Sequence, residues 1–284
     1  MMGEGMQDLT GKVAVVTGAA EGIGKAIARR AAAEGMKLVL ADIDARALGA
    51  LADEFAAAGV EALAVRTDVA DADQVDALAD TAFGHYGAVH LLVNNAGVAL
   101  AKSVWETTPR DWDWVMGVNF YGVTNGLRAF VPRMLERGEA GHIVNTASIA
   151  GLLSMPALAA YNASKFAVVT VSEGLHHDLS LRGAPIGVSV LCPSWVKTRI
   201  VEAERNRAGE HTGLAGMSPQ SRKVGHAVFQ AVQAGIAPES VADAVFEAVR
   251  AGRFYILTHP DSRVGVKIRM EDIVNDRRPT ALTF

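Results

Sequence analysis

The sequence has little cysteine, no excess of positive charge and no long apolar run. Its 284 residues include one cysteine, Cys192, so an internal disulfide cannot form, which is typical of a protein in the reducing cytoplasm. The formal net charge is -4 and there is no basic stripe, which argues against a nucleic-acid partner. No stretch of 18 apolar residues and no charged-then-apolar leader is present, so we expect neither a membrane span nor a signal peptide.

The spacings of common metal and hydrolase sites are also missing. Among the 8 histidines, His176 and His177 are adjacent, but helix neighbours point about 100° apart. No His-Glu-x-x-His motif or cysteine cluster occurs, so we predict no metal site. Ser148 is not part of a G-x-S-x-G motif, which excludes the common hydrolase arrangement. We expect Cys192, at the end of an apolar run, to be a small core residue.

Apolar runs instead alternate with Ala-rich helical stretches from Lys12 to Leu257, without a linker or an internal repeat. Such alternation predicts an α/β fold with a parallel sheet. With 50% hydrophobic and 20% charged residues, the chain is large enough to bury a substantial core in one domain.

A glycine-rich turn follows the first apolar, β-branched run, at residues 12–16. It reads Thr-Gly-Ala-Ala-Glu-Gly-Ile-Gly over residues 17–24, before a helical stretch that extends to Glu34. In such a turn Gly18 permits a tight bend, Gly22 a close approach to a pyrophosphate, and Gly24 close packing of the helix on the sheet. The spacing is G-x-x-x-G-x-G rather than G-x-G-x-x-G, so a purely structural turn stays an alternative.

An acidic residue, Asp42, ends the second apolar run, at residues 37–42. A carboxylate about 20 residues beyond a glycine turn can accept hydrogen bonds from an adenosine ribose, and its charge would repel a 2′-phosphate. Asp42 is also a candidate N-cap for a helix starting near Asp44.

Tyr161 and Lys165 are four residues apart in Tyr-Asn-Ala-Ser-Lys and therefore lie one above the other on a helix face. An ammonium beside the phenol would lower a pKa that is ordinarily about 10. The pair therefore predicts general acid–base catalysis near neutral pH. Chance coincidence is an alternative for this pair taken alone, and the other motifs have to decide.

Six motifs in one order resemble the short-chain dehydrogenase/reductase family, over roughly residues 8–258. Two are the glycine turn of residues 17–24 and the Tyr-x-x-x-Lys pair. The others are Asn-Asn-Ala-Gly at 94–97, Asn119 in the following helix, Ser148 after the run 143–146, and Pro-Ser-Trp-Val-Lys-Thr at 193–198. The family usually has glycine where Ser194 stands, which puts the geometry of that loop in question, whereas Thr198 keeps its place.

The resemblance implies a single Rossmann-type domain over residues 1–284, an α/β doubly wound parallel sheet with helices on both faces. We expect a substrate loop at about 195–235 that acts as a mobile lid, and a C-terminal extension at about 258–284 with a short helix at 267–273. By resemblance, long helices at 109–136 and 157–181 pair with their symmetry mates, so we expect a homotetramer or homodimer.

The resemblance also implies catalytic roles. Tyr161 is the general acid/base, Ser148 hydrogen-bonds the substrate oxygen, and Lys165 lowers the tyrosine pKa and holds the nicotinamide ribose. Asn119 anchors a water that links Lys165 to solvent, although a helix asparagine can also be a surface residue or bind local backbone.

The implied cofactor is NAD, because Asp42 disfavours NADP and Glu21 replaces a basic residue that NADP-preferring relatives often show. Asp68 is implied to accept from the adenine amino group, although an N-cap role fits it equally well. The expected cofactor-binding residues are Gly18, Glu21, Gly22, Ile23, Gly24, Asp42, Ile43, Asp68, Val69, Asn95, Ala96, Gly97, Tyr161, Lys165, Pro193, Val196 and Thr198.

The segments expected around the substrate, 98–103, 151–158 and 195–234, carry many apolar residues. We expect the lining to be Leu100, Leu152, Leu153, Met155, Trp195, Ile200 and Met217. This predicts a small hydrophobic secondary alcohol or ketone as substrate, although Arg199, Arg205 and Arg207 could instead receive an acid. Two other functions stay open: an NADPH-dependent carbonyl reductase and a dinucleotide-binding regulator without turnover. The intact catalytic set favours the enzyme.

Overall fold

Seven parallel β-strands form one sheet in the computed structural model, which describes residues 5–207 and 217–281. Their spatial order is β3-β2-β1-β4-β5-β6-β7. The strands are β1 (Val13–Thr17), β2 (Lys37–Asp42), β3 (Ala62–Arg66), β4 (Leu91–Asn94), β5 (Gly141–Thr146), β6 (Ile186–Cys192) and β7 (Tyr255–Leu257). This confirms the predicted doubly wound parallel sheet.

Helices connect the strands, and several begin at polar caps that the sequence supplies. Asp44 and Asp71 accept from backbone N–H groups at the starts of α2 and α3, and Thr108 forms a capping box at the start of α4. The helices of the described residues are α1 (Gly22–Ala33), α2 (Ala45–Ala57), α3 (Ala72–Tyr86), α4 (Pro109–Met116), α5 (Gly122–Arg137), α6 (Ala159–Leu181), α7 (Pro219–Gln233), α8 (Pro238–Ala251) and α9 (Ser262–Val274).

The sheet separates two apolar cores, because successive strand side chains point to opposite faces. Val16 and Leu38 belong to the core that α1, α2 and α8 cover. Val15 and Val39 belong to the core on the other face, which α3, α5 and α6 cover. Both faces of the sheet are therefore buried, which explains why the strands read as continuous apolar runs.

The carboxyl ends of β1 and β4 mark the point where the strand order reverses. From β1 the chain moves outward to β2 and β3, and then returns to β4 on the other side of β1. In open α/β sheets, ligands bind in the crevice outside the strands at this point. Gly18 directly follows β1 and Asn95 directly follows β4, so both lie at the crevice.

Three predicted helices differ in detail from the structure. The predicted helix at 109–136 contains a π-helix, Gly117–Tyr121, between α4 and α5. The predicted helix at 157–181 begins at Ala159 instead, because Ala157 has a left-handed φ of 52°. In the C-terminal extension, α9 is longer than the predicted helix at 267–273, and the Arg269 guanidinium lies 5.0 Å from the ring centre of Phe166 in α6.

Among residues 5–207 and 217–281, no helix has the length and apolar character needed to cross a membrane. The substrate loop predicted at 195–235 includes residues 208–216, and the extension includes 282–284, all of which lie outside the described residues. The prediction of a mobile lid therefore falls partly on residues that the structure does not describe.

Candidate active site

The glycine turn after β1 has the conformation that its residues permit. Gly18 and Gly22 have positive φ values of 61° and 54°, a region that residues with a Cβ atom rarely adopt. A Cβ atom added to Gly24 would lie 2.0 Å from the carbonyl oxygen of Gly18, so α1 packs directly against the turn. Glu21, which precedes α1, makes no side-chain cap, so the first N–H groups of this helix remain available to an anion.

Asn95 fixes the glycine turn through its side chain. Asn95 Nδ2 donates to the carbonyl oxygens of Thr17 and Gly18, at 3.0 and 3.3 Å. In return, Thr17 Oγ1 accepts from the backbone N–H groups of Asn95 and Ala96, at 2.9 and 3.1 Å. The residues after β1 and β4 are thus joined by hydrogen bonds before any ligand binds.

Asp42 holds the other side of the same turn. Its Oδ2 accepts from the backbone N–H of Ala20, and its Oδ1 accepts from that of Asp44, both at 3.0 Å. Burial raises the pKa of Asp42, and these two hydrogen bonds oppose the increase. The alternative role of Asp42 as the N-cap is wrong, because Asp44 accepts from Arg46 and Ala47 at the start of α2.

Asp68 and Val69 follow β3 and border the cleft on its outer side. Asp68 Oδ1 accepts from the backbone N–H of Ala70 at 3.0 Å, and the N-cap of α3 is Asp71. The alternative role of Asp68 as a helix cap is therefore wrong. Val69 is buried, and a Cβ atom on Gly122 would lie 2.7 Å from Val69 Cγ2, so α5 packs closely behind it.

Asn119 is fully buried within the π-helix and joins three segments. Its Oδ1 accepts from Val98 N at 2.8 Å, and its Nδ2 donates to Val98 O at 3.0 Å and to Ser164 Oγ at 2.9 Å. Ser164 Oγ in turn donates to the carbonyl oxygen of Tyr161 at 2.8 Å. Asn119 thus connects the loop after β4 to the helix that carries Tyr161 and Lys165. Short π-helices occur frequently at functional sites.

Ser148 and Tyr161 both line the cleft, within hydrogen-bonding reach of each other. Burial raises the pKa of Tyr161, and a hydrogen bond with Ser148 opposes the increase. Ser148 Oγ also accepts from Ala150 N at 3.1 Å, which fixes the hydroxyl at the start of a short 3-10 helix. The structure thus differs from the expectation that Lys165 lowers the pKa of this tyrosine.

A backbone carbonyl holds the Lys165 ammonium. Its Nζ donates to the carbonyl oxygen of Thr146 at 2.9 Å and lies 5.7 Å from the centre of the Tyr161 ring. Lys165 is buried, which lowers its pKa to about 8. A Cβ atom on Gly97 would lie 3.5 Å from both Lys165 Nζ and Asn119 Oδ1, so these two polar atoms converge beside Gly97.

One cleft of about 390 Å³ brings these groups together at the carboxyl ends of the strands. Of the predicted catalytic and cofactor-binding residues, all but Gly24 and Asn119 line it. Gly24 instead packs the helix on the turn, and Asn119 lies behind the cleft wall. The geometry is that of a dinucleotide-sized crevice with a tyrosine, a serine and a lysine at one end.

Comparisons with known proteins agree with this geometry. The sequence profile of the short chain dehydrogenase family matches residues 12–209. The chain belongs to this family.

Two relatives and one crystal structure show how far the similarity extends. A "CLA biosynthesis dehydrogenase/reductase" of Lactiplantibacillus plantarum is 36% identical over 277 residues, 96% of this chain and 97% of the relative. A "C alpha-dehydrogenase" of Sphingobium sp. is 34% identical, over 96% of this chain and 89% of the relative. A crystal structure of a Burkholderia phymatum short chain dehydrogenase/reductase in complex with NAD is 47% identical, with a TM-score of 0.93 over 98% of this chain and 100% of that one.

Ser194, the departure from the family pattern, is accommodated without strain in this short-chain dehydrogenase. Among the described residues, only Ala157 and Asp276 have positive φ without being glycine, so Ser194 has an ordinary backbone conformation. The loop continues through Lys197, whose N–H donates to Ile236 O at 2.9 Å. Gly235 makes this pairing possible, because a Cβ atom there would lie 2.5 Å from the carbonyl oxygen of Trp195.

Glu21 has partners that sequence reasoning did not identify. Its carboxylate pairs with Arg199 Nη1 at 2.7 Å and with Arg205, both from the substrate loop. The glycine turn of this short-chain dehydrogenase is therefore joined to the loop across the mouth of the cleft. These arginines are already paired, so they do not form a free anion site.

The apolar lining differs in part from the prediction. Met155, Trp195 and Ile200 line the cleft as predicted, but Leu100, Leu152, Leu153 and Met217 do not. Leu100 and Leu153 are buried beneath the loops instead. Among the apolar cleft residues that the prediction missed are Trp114, Leu158, Val201, Val228 and Val232. In the described part of the chain, no group of three His, Cys, Asp or Glu residues is placed to hold a metal ion.

Proposed function

We propose that this short-chain dehydrogenase transfers a hydride between NAD(H) and a hydrophobic secondary alcohol or ketone, with Tyr161 as the general acid/base. The observation that carries the proposal is the convergence of Ser148, Tyr161 and Lys165 at one end of a cleft whose other end is the glycine turn. A non-catalytic regulator has no need for a buried lysine beside a cleft tyrosine.

The residues present fit a dinucleotide. The turn at Gly18 and Gly22 leaves no side chain in the way of a pyrophosphate, and the N-terminus of α1 supplies N–H groups for it. Each Asp42 oxygen accepts one backbone N–H and keeps acceptor capacity for a ribose hydroxyl. The crystal structure of the Burkholderia relative, 47% identical, is of a complex with NAD, which supports NAD here.

When bound, the nicotinamide would accept or supply the hydride. Tyr161 removes the hydroxyl proton of the alcohol, and Ser148 donates a hydrogen bond to the same substrate oxygen. Lys165, with a pKa of about 8, can exchange protons near neutral pH and is held by Thr146 O. We propose that Asn119 supports the path by which this proton reaches solvent.

The substrate end of the cleft favours an apolar compound. Met155, Leu158, Trp195, Ile200 and Val228 line it with hydrophobic surface. Of the loop arginines that could attract an acid, Arg199 and Arg205 are paired with Glu21, and Arg207 is paired with Asp111. Hydrophobic lining with a few convergent polar groups is typical of small-molecule sites.

The proposal extends to quaternary structure and location. We propose a homotetramer or homodimer, since Tyr121 on the π-helix and Leu181 at the end of α6 are 55% and 87% exposed in the single chain. A cytoplasmic location is part of the same proposal, since the only cysteine is a buried free thiol.

The test is formation of NADH, followed at 340 nm, from a panel of secondary alcohols that ranges from aliphatic to aromatic. Tyr161→Phe serves as the matched control, because it removes one oxygen and keeps the ring. Turnover by the wild type with NAD, lost in Tyr161→Phe, supports the proposal. Faster turnover with NADP would favour the carbonyl-reductase alternative, and NADH binding without turnover of any alcohol or ketone would favour the regulator.

A further inference from the structure

Three charged side chains are buried together beside the substrate end of the cleft. Lys102, Asp111 and Arg207 are 4%, 2% and 8% exposed. Lys102 Nζ donates to Asp111 Oδ2 at 2.9 Å, and Arg207 Nη1 donates to Asp111 Oδ1 at 2.7 Å. Thr108 N also donates to Oδ2, at 3.0 Å. Burial alone would raise the pKa of Asp111, but these bonds outweigh it and hold the pKa well below its usual range.

The cluster joins three segments that border the cleft. Lys102 forms a β-bridge with Leu158, which lines the cleft just before α6. Asp111 lies in α4. Arg207 directly follows the 3-10 helix Ile200–Asn206, which contributes several cleft residues from the substrate loop. One carboxylate thus fixes the substrate loop relative to two segments that lie at least 96 residues earlier in the chain.

Arg207 has a second partner, and this partner faces the cleft. The guanidinium carbon of Arg207 lies 4.9 Å from the ring centre of Trp114, within the range of a cation–π contact. Trp114 is partly buried and packs with Val115 and its neighbours, while the rest of its side chain lines the cleft. The ion pair with Asp111 fixes the guanidinium, and the guanidinium in turn covers the indole.

Stability alone does not account for this cluster. Replacing a buried ion pair by apolar side chains of similar size is often neutral or stabilising, so buried charges are weak evidence for added stability. Lys102, Asp111 and Arg207 do not line the cleft, and none has a role in the proposed chemistry. What distinguishes Arg207 from the other two is its contact with Trp114, which does line the cleft.

We propose that Trp114 determines substrate specificity by contacting the apolar part of the substrate, and that Arg207 is a positioning residue that holds the indole for this contact. The proposal rests on the proposed function, and it names the feature that selects the substrate: a flat, bulky apolar group, such as an aromatic ring, next to the carbinol carbon. Asp111 acts one step further back, because it holds Arg207.

The test compares a bulky probe, 1-(2-naphthyl)ethanol, with a small one, 2-butanol. In Trp114→Ala, kcat/KM for the bulky probe should fall about tenfold or more, mainly through KM, as expected for a lost apolar contact. The value for 2-butanol should stay within about threefold. Arg207→Met should show the same selective loss, and the Kd for NADH should be unchanged in both variants.

Lys102→Met is the matched control, because it removes a cation that is equally buried and bonded to the same carboxylate but does not contact Trp114. It should leave the ratio of the two kcat/KM values unchanged. An equal change of ratio in Lys102→Met and Arg207→Met would overturn the positioning role, since any break in the cluster would then suffice. If Arg207→Met does not fold, Arg207→Lys, which keeps a cation beside Asp111 but loses the planar stack, replaces it.

The double variant Trp114→Ala/Arg207→Met shows whether Arg207 affects substrate specificity through the Trp114 indole or independently of it. Because Arg207 acts through Trp114, the double variant should lose no more of the preference for the bulky probe over 2-butanol than Trp114→Ala loses alone. If the two fold-changes multiply, the proposal is wrong.

Failure of the proposed function would be visible separately, as a wild type that oxidises none of the alcohols. In that case calorimetric binding of the ketone 2-acetonaphthone to the NADH-loaded protein still tests the contact. Weaker binding to Trp114→Ala than to the wild type supports the proposal, and equal binding refutes it.

Discussion

Asn119 provides the sharpest test of how the site is built, because its side chain makes all its hydrogen bonds within the protein. In Asn119→Ala, Val98 loses the partners of both its N–H and its C=O, and Ser164 Oγ loses one donor. Val98 is buried, so each orphaned backbone group costs about 1–3 kcal/mol. Ser164 still donates to Tyr161 O, so its loss adds little. The expected decrease in the free energy of unfolding is about 2–6 kcal/mol.

Urea unfolding at pH 7 measures this decrease, with Asn125→Ala as the matched control. Asn125 is also a helix asparagine near the cleft, but it is half-buried and makes one such bond, from Nδ2 to Val69 O at 3.0 Å. Its loss orphans one buried group, the carbonyl of Val69, and should cost about 1–3 kcal/mol, half of the decrease expected for Asn119→Ala. Equal destabilisation of the two variants would refute the reasoning, because the number of orphaned buried groups would then not matter.

Asn119→Asp tests whether residue 119 also influences Lys165. Aspartate keeps an acceptor for Val98 N but loses the donor to Val98 O and Ser164. We expect it to be less stable than the wild type and, in addition, to perturb Lys165, because Lys165 Nζ and Asn119 Oδ1 both border Gly97. A new negative charge there would raise the pKa of Lys165 from about 8. If Lys165 relays the proton, the alkaline limb of the pH–rate profile should shift upward in this variant.

The other predictions concern the cofactor, the base, pH and assembly. Asp42→Ala should narrow the preference for NAD over NADP in kcat/KM. A like-charge clash of ~2–3 kcal/mol between the carboxylate and the 2′-phosphate corresponds to about 30–150-fold discrimination. A wild type that uses NADP equally well would contradict this prediction. Tyr161→Phe should abolish turnover and keep NADH binding, as titrated by fluorescence, whereas Lys165→Met should impair both; a loss of less than about tenfold in Tyr161→Phe would exclude tyrosine as the base. Burial lowers the pKa of His142 from 6.5 to about 4, so on acidification the unfolded chain binds this proton before the folded chain does. The contribution of His142 to the free energy of unfolding is therefore fully present above pH 6.5. It should fall by about 3 kcal/mol as the pH drops towards 4. In urea unfolding, His142→Gln should not show that decrease in stability. The control His177→Gln, a substitution at an exposed site, should still show it. Light scattering should show a dimer or tetramer rather than a 29.9 kDa monomer.

Much of the fold is visible in the sequence because the sheet is buried on both faces. The run at 37–42 matches β2 residue for residue, and the apolar run that ends at Cys192 ends where β6 ends. The glycine turn is equally readable, because glycine readily adopts the φ of Gly18 and, without a Cβ atom, permits the close approach at Gly24. These features depend on local chain chemistry, so a local pattern is enough to predict them.

The π-helix and the charged cluster depend on distant partners instead. Nothing in Gly-Val-Asn-Phe-Tyr at 117–121 distinguishes a π-helix from a continuous α-helix, because the asparagine is held from outside, by Val98 and Ser164. Asp111 reads as a surface residue in the first turn of a helix, yet it is buried by an arginine 96 residues away in the chain. For the same reason Trp114 could not be identified as a cleft residue, since the partner that holds it is equally remote.

Asp42 shows why cofactor specificity and stability must be measured together in this site. Its carboxylate was predicted as a ribose ligand, but the structure also gives it the backbone N–H groups of Ala20 and Asp44. Ala20 is buried, so Asp42→Ala should cost about 1–3 kcal/mol for that N–H alone. Asp42→Asn keeps one acceptor oxygen and removes the charge, so it should retain more stability while still relaxing the discrimination against NADP. Urea unfolding beside cofactor titrations tests this pairing, and a stability loss in Asp42→Asn as large as in Asp42→Ala would show that the charge, rather than the hydrogen bonds, holds the turn.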